Sequence, residues 1–274
     1  MATIKGDRMM TARLFDLSGR KAFITGATKG IGRAIADAFA DHGATFVLTS
    51  RNQVEAEDVA LTINQRVDRG AAFGMAADLA DLARTIEAYD EAVKLLGQID
   101  ILVCNAAALP NAFAAADKID LREYERMVSV NIVNNAGLIN HAAAAMKERR
   151  DGDLLVTTSS TGVWPAFGVM PYGVSKAGLN FLVEALGAEL APYNVRVNAV
   201  APGLTRTAAM EERSRLDPEF MQALTKSIPL RRVVEPEAIA AGMVFLASSG
   251  GRSMTGQILS IDGGRPGLGA ADDL

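Results

Sequence analysis

Tyr172-Gly173-Val174-Ser175-Lys176 holds the side chains best suited to do chemistry. Tyr172 and Lys176 stand at i and i+4, so on a helix they share one face. A free tyrosine hydroxyl titrates at about 10 and keeps its proton at neutral pH. An ammonium beside it favours the phenolate and lowers that value. The pair can then exchange a proton with an oxygen near neutral pH. On its own this spacing is a common surface pair, so its meaning depends on what surrounds it.

A second group is Thr25-Gly26-Ala27-Thr28-Lys29-Gly30-Ile31-Gly32. Glycines let a chain turn sharply and come close to a pyrophosphate, and a helix starting there offers free N–H groups and partial positive charge. The glycine pattern is G-x-x-x-G-x-G rather than G-x-G-x-x-G, and its place after an apolar run and before a helical one supports nucleotide binding.

These groups need elements to position them. Short apolar runs lie at 21–25, 45–49, 71–76, 101–104, 154–158, 195–200 and 257–261. The first, second and fourth are too short and too apolar to be half-exposed and read as strands covered on both faces. Segments of helical length lie between them at 31–41, 54–69, 82–96, 121–150 and 172–190. This alternation predicts right-handed βαβ units in an α/β fold, a doubly wound (Rossmann) parallel sheet with helices on both faces. No repeat or Pro/Ser linker divides the chain. The expected organisation is an N-terminal arm at 1–13, one domain at 14–266 and a Gly/Ala-rich tail at 267–274.

Composition excludes several classes. With 49% hydrophobic and 22% charged residues, the chain can bury a core and is not of disordered type. A net charge of −4 argues against a nucleic-acid surface. The longest charge-free stretches, 127–146 and 154–175, carry Asn, Ser, Thr and Pro and are not bilayer spans. The lone Cys104 cannot form an internal disulfide, so a reducing, cytoplasmic setting is expected, with Cys104 as a buried small residue. His42 and His141 are isolated from other ligand types, so no metal is expected.

The end of the second strand should face the adenosine ribose. An NAD-preferring site often places Asp or Glu about 20 residues after the glycines. Here Ser50-Arg51-Asn52 stands there, and Lys29 adds a cation in the glycine loop. A guanidinium can pair with a 2′-phosphate, so NADP(H) is expected over NAD(H).

Further elements appear in order: Asn105-Ala106-Ala107 after the fourth strand, Ser159-Ser160 after the fifth, and Pro202-Gly203 after the sixth. Over about 14–266 the chain resembles the short-chain dehydrogenase/reductase family, of the classical type. The resemblance implies that Tyr172 exchanges the proton, and that Lys176 binds the nicotinamide ribose and lowers the tyrosine pKa. It implies that a serine after the fifth strand holds the substrate oxygen, and that Asn131 organises a water relay. It places Gly26, Thr28, Lys29, Gly30, Ile31, Ser50, Arg51, Asn52, Asp78, Leu79, Asn105, Ala106, Ala107, Pro202, Gly203, Leu204 and Thr207 along the cofactor, with Asp78 near the adenine.

Two departures matter. Ala107 replaces the family's usual glycine. For the serine, the family's common spacing back from Tyr172 reaches Ser159, whereas aligning the strand end selects Ser160 and shortens the following loop. Strand ends are pinned by pairing and loops absorb deletions, so Ser160 is the choice, with Ser159 the alternative.

The activity this implies is hydride transfer between NADP(H) and a small-molecule carbonyl or secondary alcohol of ketone, 3-oxoacyl, sugar or polyol type. The alternative is a non-catalytic NADP-binding sensor on the same fold. Substrate contacts are expected from 109–113, 164–170 and 208–227, the last as a lid. Trp164, Phe167, Met170, Met210, Phe220 and Met221 would give an apolar pocket, and Arg206, Arg213 and Arg215 would suit an acidic group. Relatives pack the helices matching 127–146 and 172–190 across twofold axes, implying a homotetramer or a dimer.

Overall fold

The computed structural model describes residues 14–111 and 114–264. The expected arm, the tail, and Ala112 and Phe113 of a substrate loop fall outside them. Seven strands form one parallel sheet in the order β3-β2-β1-β4-β5-β6-β7. They are β1 (Lys21–Ile24), β2 (Thr45–Ser50), β3 (Ala72–Ala76), β4 (Ile101–Cys104), β5 (Gly152–Thr157), β6 (Val195–Pro202) and β7 (Ile258–Ile261). All seven fall on the apolar runs. Chain order reverses between β1 and β4, which makes the crevice beyond their carboxyl ends the ligand position of a doubly wound sheet.

The apolar strands serve two cores at once. In β1, Ala22 and Ile24 enter one core and Phe23 the other. In β4, Ile101 and Val103 enter the first, Leu102 and Cys104 the second. Helices α1 (Gly30–Asp41) and α2 (Gln53–Val67) cover the first face. Helix α3 (Leu82–Leu96) covers the second, with further helices described next.

The segment expected as one helix at 121–150 is divided. Helix α4 (Leu121–Met127) passes through a π-helical turn, Val128–Asn134, into α5 (Asn135–Arg149). Asn131 lies within that turn, the kind of irregularity that accompanies function. Helix α6 (Met170–Leu190) carries Tyr172 and Lys176, and Pro171 opens it where no N–H partner is needed.

Three helices were not expected as such: α7 (Ala208–Leu216), α8 (Pro218–Lys226) and α9 (Pro236–Ala247). Helix α9 buries Ile239, Ala240, Met243, Val244, Leu246 and Ala247, so almost no polar face remains to show helical periodicity. No described helix is long and apolar enough to cross a membrane.

Candidate active site

The glycine segment forms the turn expected of it. Gly26 adopts φ +63, a left-handed conformation that glycine enters freely. At Gly32 a Cβ would lie 2.2 Å from the Gly26 carbonyl oxygen, so α1 can approach the turn only without a side chain there. Lys29 takes the N-cap position with no side-chain capping bond, and no acid occupies the first turn. The leading N–H groups of α1, including those of Gly30 and Ile31, are therefore offered to an anion. Thr207 closes over this turn: its methyl group would stand 3.2 Å from a Cβ on Gly30.

Asn105 ties three strand ends together. Its Nδ2 donates to the carbonyls of Thr25 (3.2 Å) and Gly26 (3.0 Å), and its Oδ1 accepts from Thr157 Oγ1 at 3.1 Å. Thr25 Oγ1 accepts from the backbone of both Asn105 and Ala106, each at 3.0 Å. Ala107 is not among the residues with left-handed backbone, so the missing glycine costs no strain here. On the far side Gly203 N donates to Ile261 O at 2.9 Å, and Val234 N donates to Leu204 O at 2.8 Å. Pro202, which ends β6, leads into this loop. Toward the adenine end, Leu79 is buried and its carbonyl accepts from Asn134 Nδ2 at 2.7 Å. Asp78 is exposed, and its carboxylate accepts from Ala80 N at 3.0 Å. These parts make a frame suited to an extended dinucleotide: a turn with open N–H groups, a tied floor at the switch point, and a loop above.

The proton-handling groups lie beside this frame. The Lys176 side chain is buried, and its Nζ donates to Thr157 O at 2.9 Å and stands 5.5 Å from the centre of the Tyr172 ring. Burial pulls the Lys176 ammonium down to about 8. The Tyr172 ring is half-buried but its hydroxyl end is deep, and burial pushes the phenol up to about 12 against a hydrogen bond from Ser159. The direction is opposite to the lowering expected from Lys176. Here desolvation dominates, and Tyr172 keeps its proton.

The two serines differ in their geometry. Ser159, rather than Ser160, is the serine that works to lower the Tyr172 phenol against its burial. Ser159 remains extended (φ −168, ψ 151) and is buried, with its Oγ accepting from Thr161 N (3.2 Å) and Thr161 Oγ1 (2.9 Å). Ser160 already belongs to a tight 3₁₀ turn, Ser160–Gly162, which turns it away from the strand line. The extended chain runs on beyond the last residue of β5: Thr158 N still donates to Val200 O at 2.8 Å.

Asn131 is buried and fully engaged. Its Oδ1 accepts from Ala108 N at 2.7 Å, and its Nδ2 donates to Ala108 O and to Ser175 Oγ, each at 3.0 Å. Ser175 Oγ in turn donates to Tyr172 O at 2.8 Å. The amide thus links the chain after β4 to α6. Thr25, Thr157 and Ser175 lie in the site without having been singled out in the sequence, and Ser159 stood there as the alternative to Ser160. Ser175 stood within the Tyr-to-Lys pentapeptide, and the spacing count already pointed to Ser159.

Of the expected apolar pocket residues, Met221 is buried, whereas Trp164, Met170 and above all Phe167, 91% exposed, face outward. The side chains of Arg213 and Phe220 lie outside the description. Arg206 pairs with Glu235 at 2.9 Å and Arg215 with Glu212 at 2.7 Å. Burial pushes the Cys104 thiol up to about 12, which leaves it inert. His141 pairs with Asp90 at 2.7 Å.

Residues 26–265 match the family described as enoyl-(acyl carrier protein) reductase. The human protein named dehydrogenase/reductase SDR family member 4 is 33% identical over 254 residues, 91% of this chain and 88% of that one. The 3-oxoacyl-(acyl-carrier-protein) reductase FabG of Aquifex aeolicus is 33% identical over 252 residues, 90% of this chain and 98% of that one. A solved 7α-hydroxysteroid dehydrogenase, complexed with NADH and 7-oxo glycochenodeoxycholic acid, superposes with a TM-score of 0.84 at 32% identity, covering 93% of this chain and 97% of that one. The chain belongs to the short-chain dehydrogenase/reductase family and is an oxidoreductase of it.

One consequence of the lysine's burial can be measured without substrate. Its ordinary value of 10.5 falls to about 8 in the folded chain, so the folded state binds fewer protons between those values. The stability that this group withholds is greatest below about pH 8 and is recovered as pH rises toward 10.5. Lys176→Met should therefore melt higher than the wild type at neutral pH, with the gap narrowing above pH 8. Thermal melts across that range check this; a gap that widens with pH would contradict it.

Proposed function

We propose that this chain interconverts a carbonyl compound and a secondary alcohol, of ketone, 3-oxoacyl, sugar or polyol type, with NADP(H) preferred. The observation that carries this reading is the convergence of Ser159, Tyr172 and Lys176 on one side of a dinucleotide frame. A bound nicotinamide cofactor would supply or take up the hydride.

The protein's own groups handle the oxygen and its proton. Ser159 Oγ already accepts two bonds from Thr161, so its own proton is left to donate. Given to the Tyr172 oxygen, that bond frees the phenol proton to point at a substrate oxygen. A phenol held at about 12 is a ready acid toward an alkoxide. Lys176, anchored on Thr157 O beside the ring, would hold the nicotinamide ribose and pass a proton onward. Asn131 fixes Ala108 and α6 relative to one another, and so keeps the proton path in register.

The NADP(H) preference rests on Lys29 and Arg51 and on the absence of a carboxylate at 50–52. Assembly as a homotetramer is supported by apolar side chains left on the outer faces of α4, the π turn and α6: Leu121 (74% exposed), Val133 (55%) and Phe181 (73%).

The test is cofactor consumption against a panel of ketones, β-ketoacyl esters and keto sugars, with NADPH and NADH side by side. Turnover of at least one class, faster with NADPH, is the expected result. No turnover with either cofactor would overturn the reading in favour of a sensor.

A further inference from the structure

The end of the site that faces the adenosine ribose holds a carboxylate from outside the 50–52 stretch. Glu55 is the third residue of α2, whose N-cap Asn52 accepts from Val54 N at 3.0 Å and Glu55 N at 3.3 Å. A glutamate at this position of a capping box ordinarily reaches back to the N-cap backbone N–H. Glu55 reaches across to the glycine loop instead. Its Oε1 accepts from Lys29 Nζ at 2.8 Å, and its Oε2 accepts from Ser50 Oγ at 2.9 Å. The Thr28 side chain adds a further hydrogen bond, and the donors together, Lys29 foremost, hold the carboxyl below its usual range.

Thr28, Lys29 and Ser50 are among the groups assigned above to the cofactor. Arg51, beside them, is exposed and makes no ion pair among the described residues. A carboxylate and a phosphate are both acceptor-only anions and compete for the same donors. A 2′-phosphate brings about two negative charges, so it must take Lys29 and Ser50 from Glu55 and then lie beside the displaced carboxylate. A ribose 2′-hydroxyl needs no displacement, because it can donate to the carboxylate where it stands.

We propose that Glu55 is a specificity-determining residue, an internal anion that holds the place of a 2′-phosphate and limits the site's preference for the phosphorylated cofactor. The inference rests on the reading of this end of the site as the adenosine-ribose position. Arg51 favours the phosphate, Glu55 opposes it, and Lys29 is shared between the two.

Calorimetric titration of the full chain with 2′,5′-ADP and with 5′-AMP separates these terms without turnover. Glu55→Gln should raise the affinity for 2′,5′-ADP relative to 5′-AMP by about tenfold, as relief of like-charge juxtaposition in a half-exposed site would give. Glu55→Ala should move the ratio the same way, which guards against an effect particular to the amide. Lys29→Met should cost more 2′,5′-ADP affinity in combination with E55Q than alone, because in the wild type Lys29 is already engaged. An unchanged ratio in both Glu55 variants, or an equal cost of K29M in both backgrounds, would overturn the proposal. A wild type that binds 5′-AMP as tightly as 2′,5′-ADP would refute the NADP(H) preference alone; the shift caused by E55Q is read independently of it.

Discussion

Tyr172→Phe should lower kcat by about 10³-fold, within the range carried by a positioned acid, while changing cofactor affinity by less than about twofold. The argument is local. The hydroxyl end is deep, keeps its proton because burial holds the phenol at about 12, and receives a hydrogen bond from Ser159. Phenylalanine preserves the ring and removes only that proton. The Lys176 bond to Thr157 O does not involve the hydroxyl, and neither do the Asn105 ties or the open turn at Gly26–Gly30. The frame therefore persists when the acid is lost. Steady-state rates with the best substrate from the panel, beside a fluorescence titration with NADPH, check both halves. Retained turnover would remove Tyr172 from the chemistry, and lost cofactor binding would mean that the variant had disturbed the frame.

The two serines should separate by a comparable margin. Ser159→Ala should cost about 10²-fold in kcat, the low end of what a positioned acid carries, because the phenol loses the hydrogen bond that aims its proton. Ser160→Ala should stay within about threefold of the wild type, since Ser160 belongs to the turn after the extended segment and not to that segment. Ser159 is also buried and accepts from Thr161, so Ser159→Thr is a useful companion: it keeps the hydroxyl, and partial rescue by it would assign the loss to the donor rather than to packing. Equal losses at the two serines, or a larger loss at Ser160, would return the role to Ser160. The comparison needs only kcat for the variants on one substrate.

Much of this arrangement was legible in the sequence because it depends on patterns that leave little choice. Strands covered on both faces must be apolar where they are buried, and 22–24 and 101–104 are. A turn that admits a helix this closely needs Gly32, and Tyr172 and Lys176 had to share a helix face. What escaped were features set by contacts between distant segments. Glu55 drew no assignment from the sequence, and only the folded chain brings Lys29 and Ser50 to it. The tyrosine pKa was judged from its neighbour in sequence, whereas the depth of the hydroxyl decides it. The choice of Ser160 rested on aligning the strand end and letting the loop absorb a deletion, and the sequence does not show that the extended chain reaches Ser159 and turns at Ser160. Helix α9 hid its period by being buried nearly all round.

The central claim is that this site passes hydride between a nicotinamide cofactor and a carbon bearing oxygen, with Tyr172 handling the proton. Deuterium placed at the transferable position of NADPH tests it most directly, with the alcohol product examined by mass spectrometry for the wild type and for Tyr172→Phe. The expected result is an alcohol from the wild type that carries the label on its carbinol carbon, and from the variant almost no alcohol. A product that forms without the label, or a variant that forms labelled product as fast as the wild type, would contradict the account.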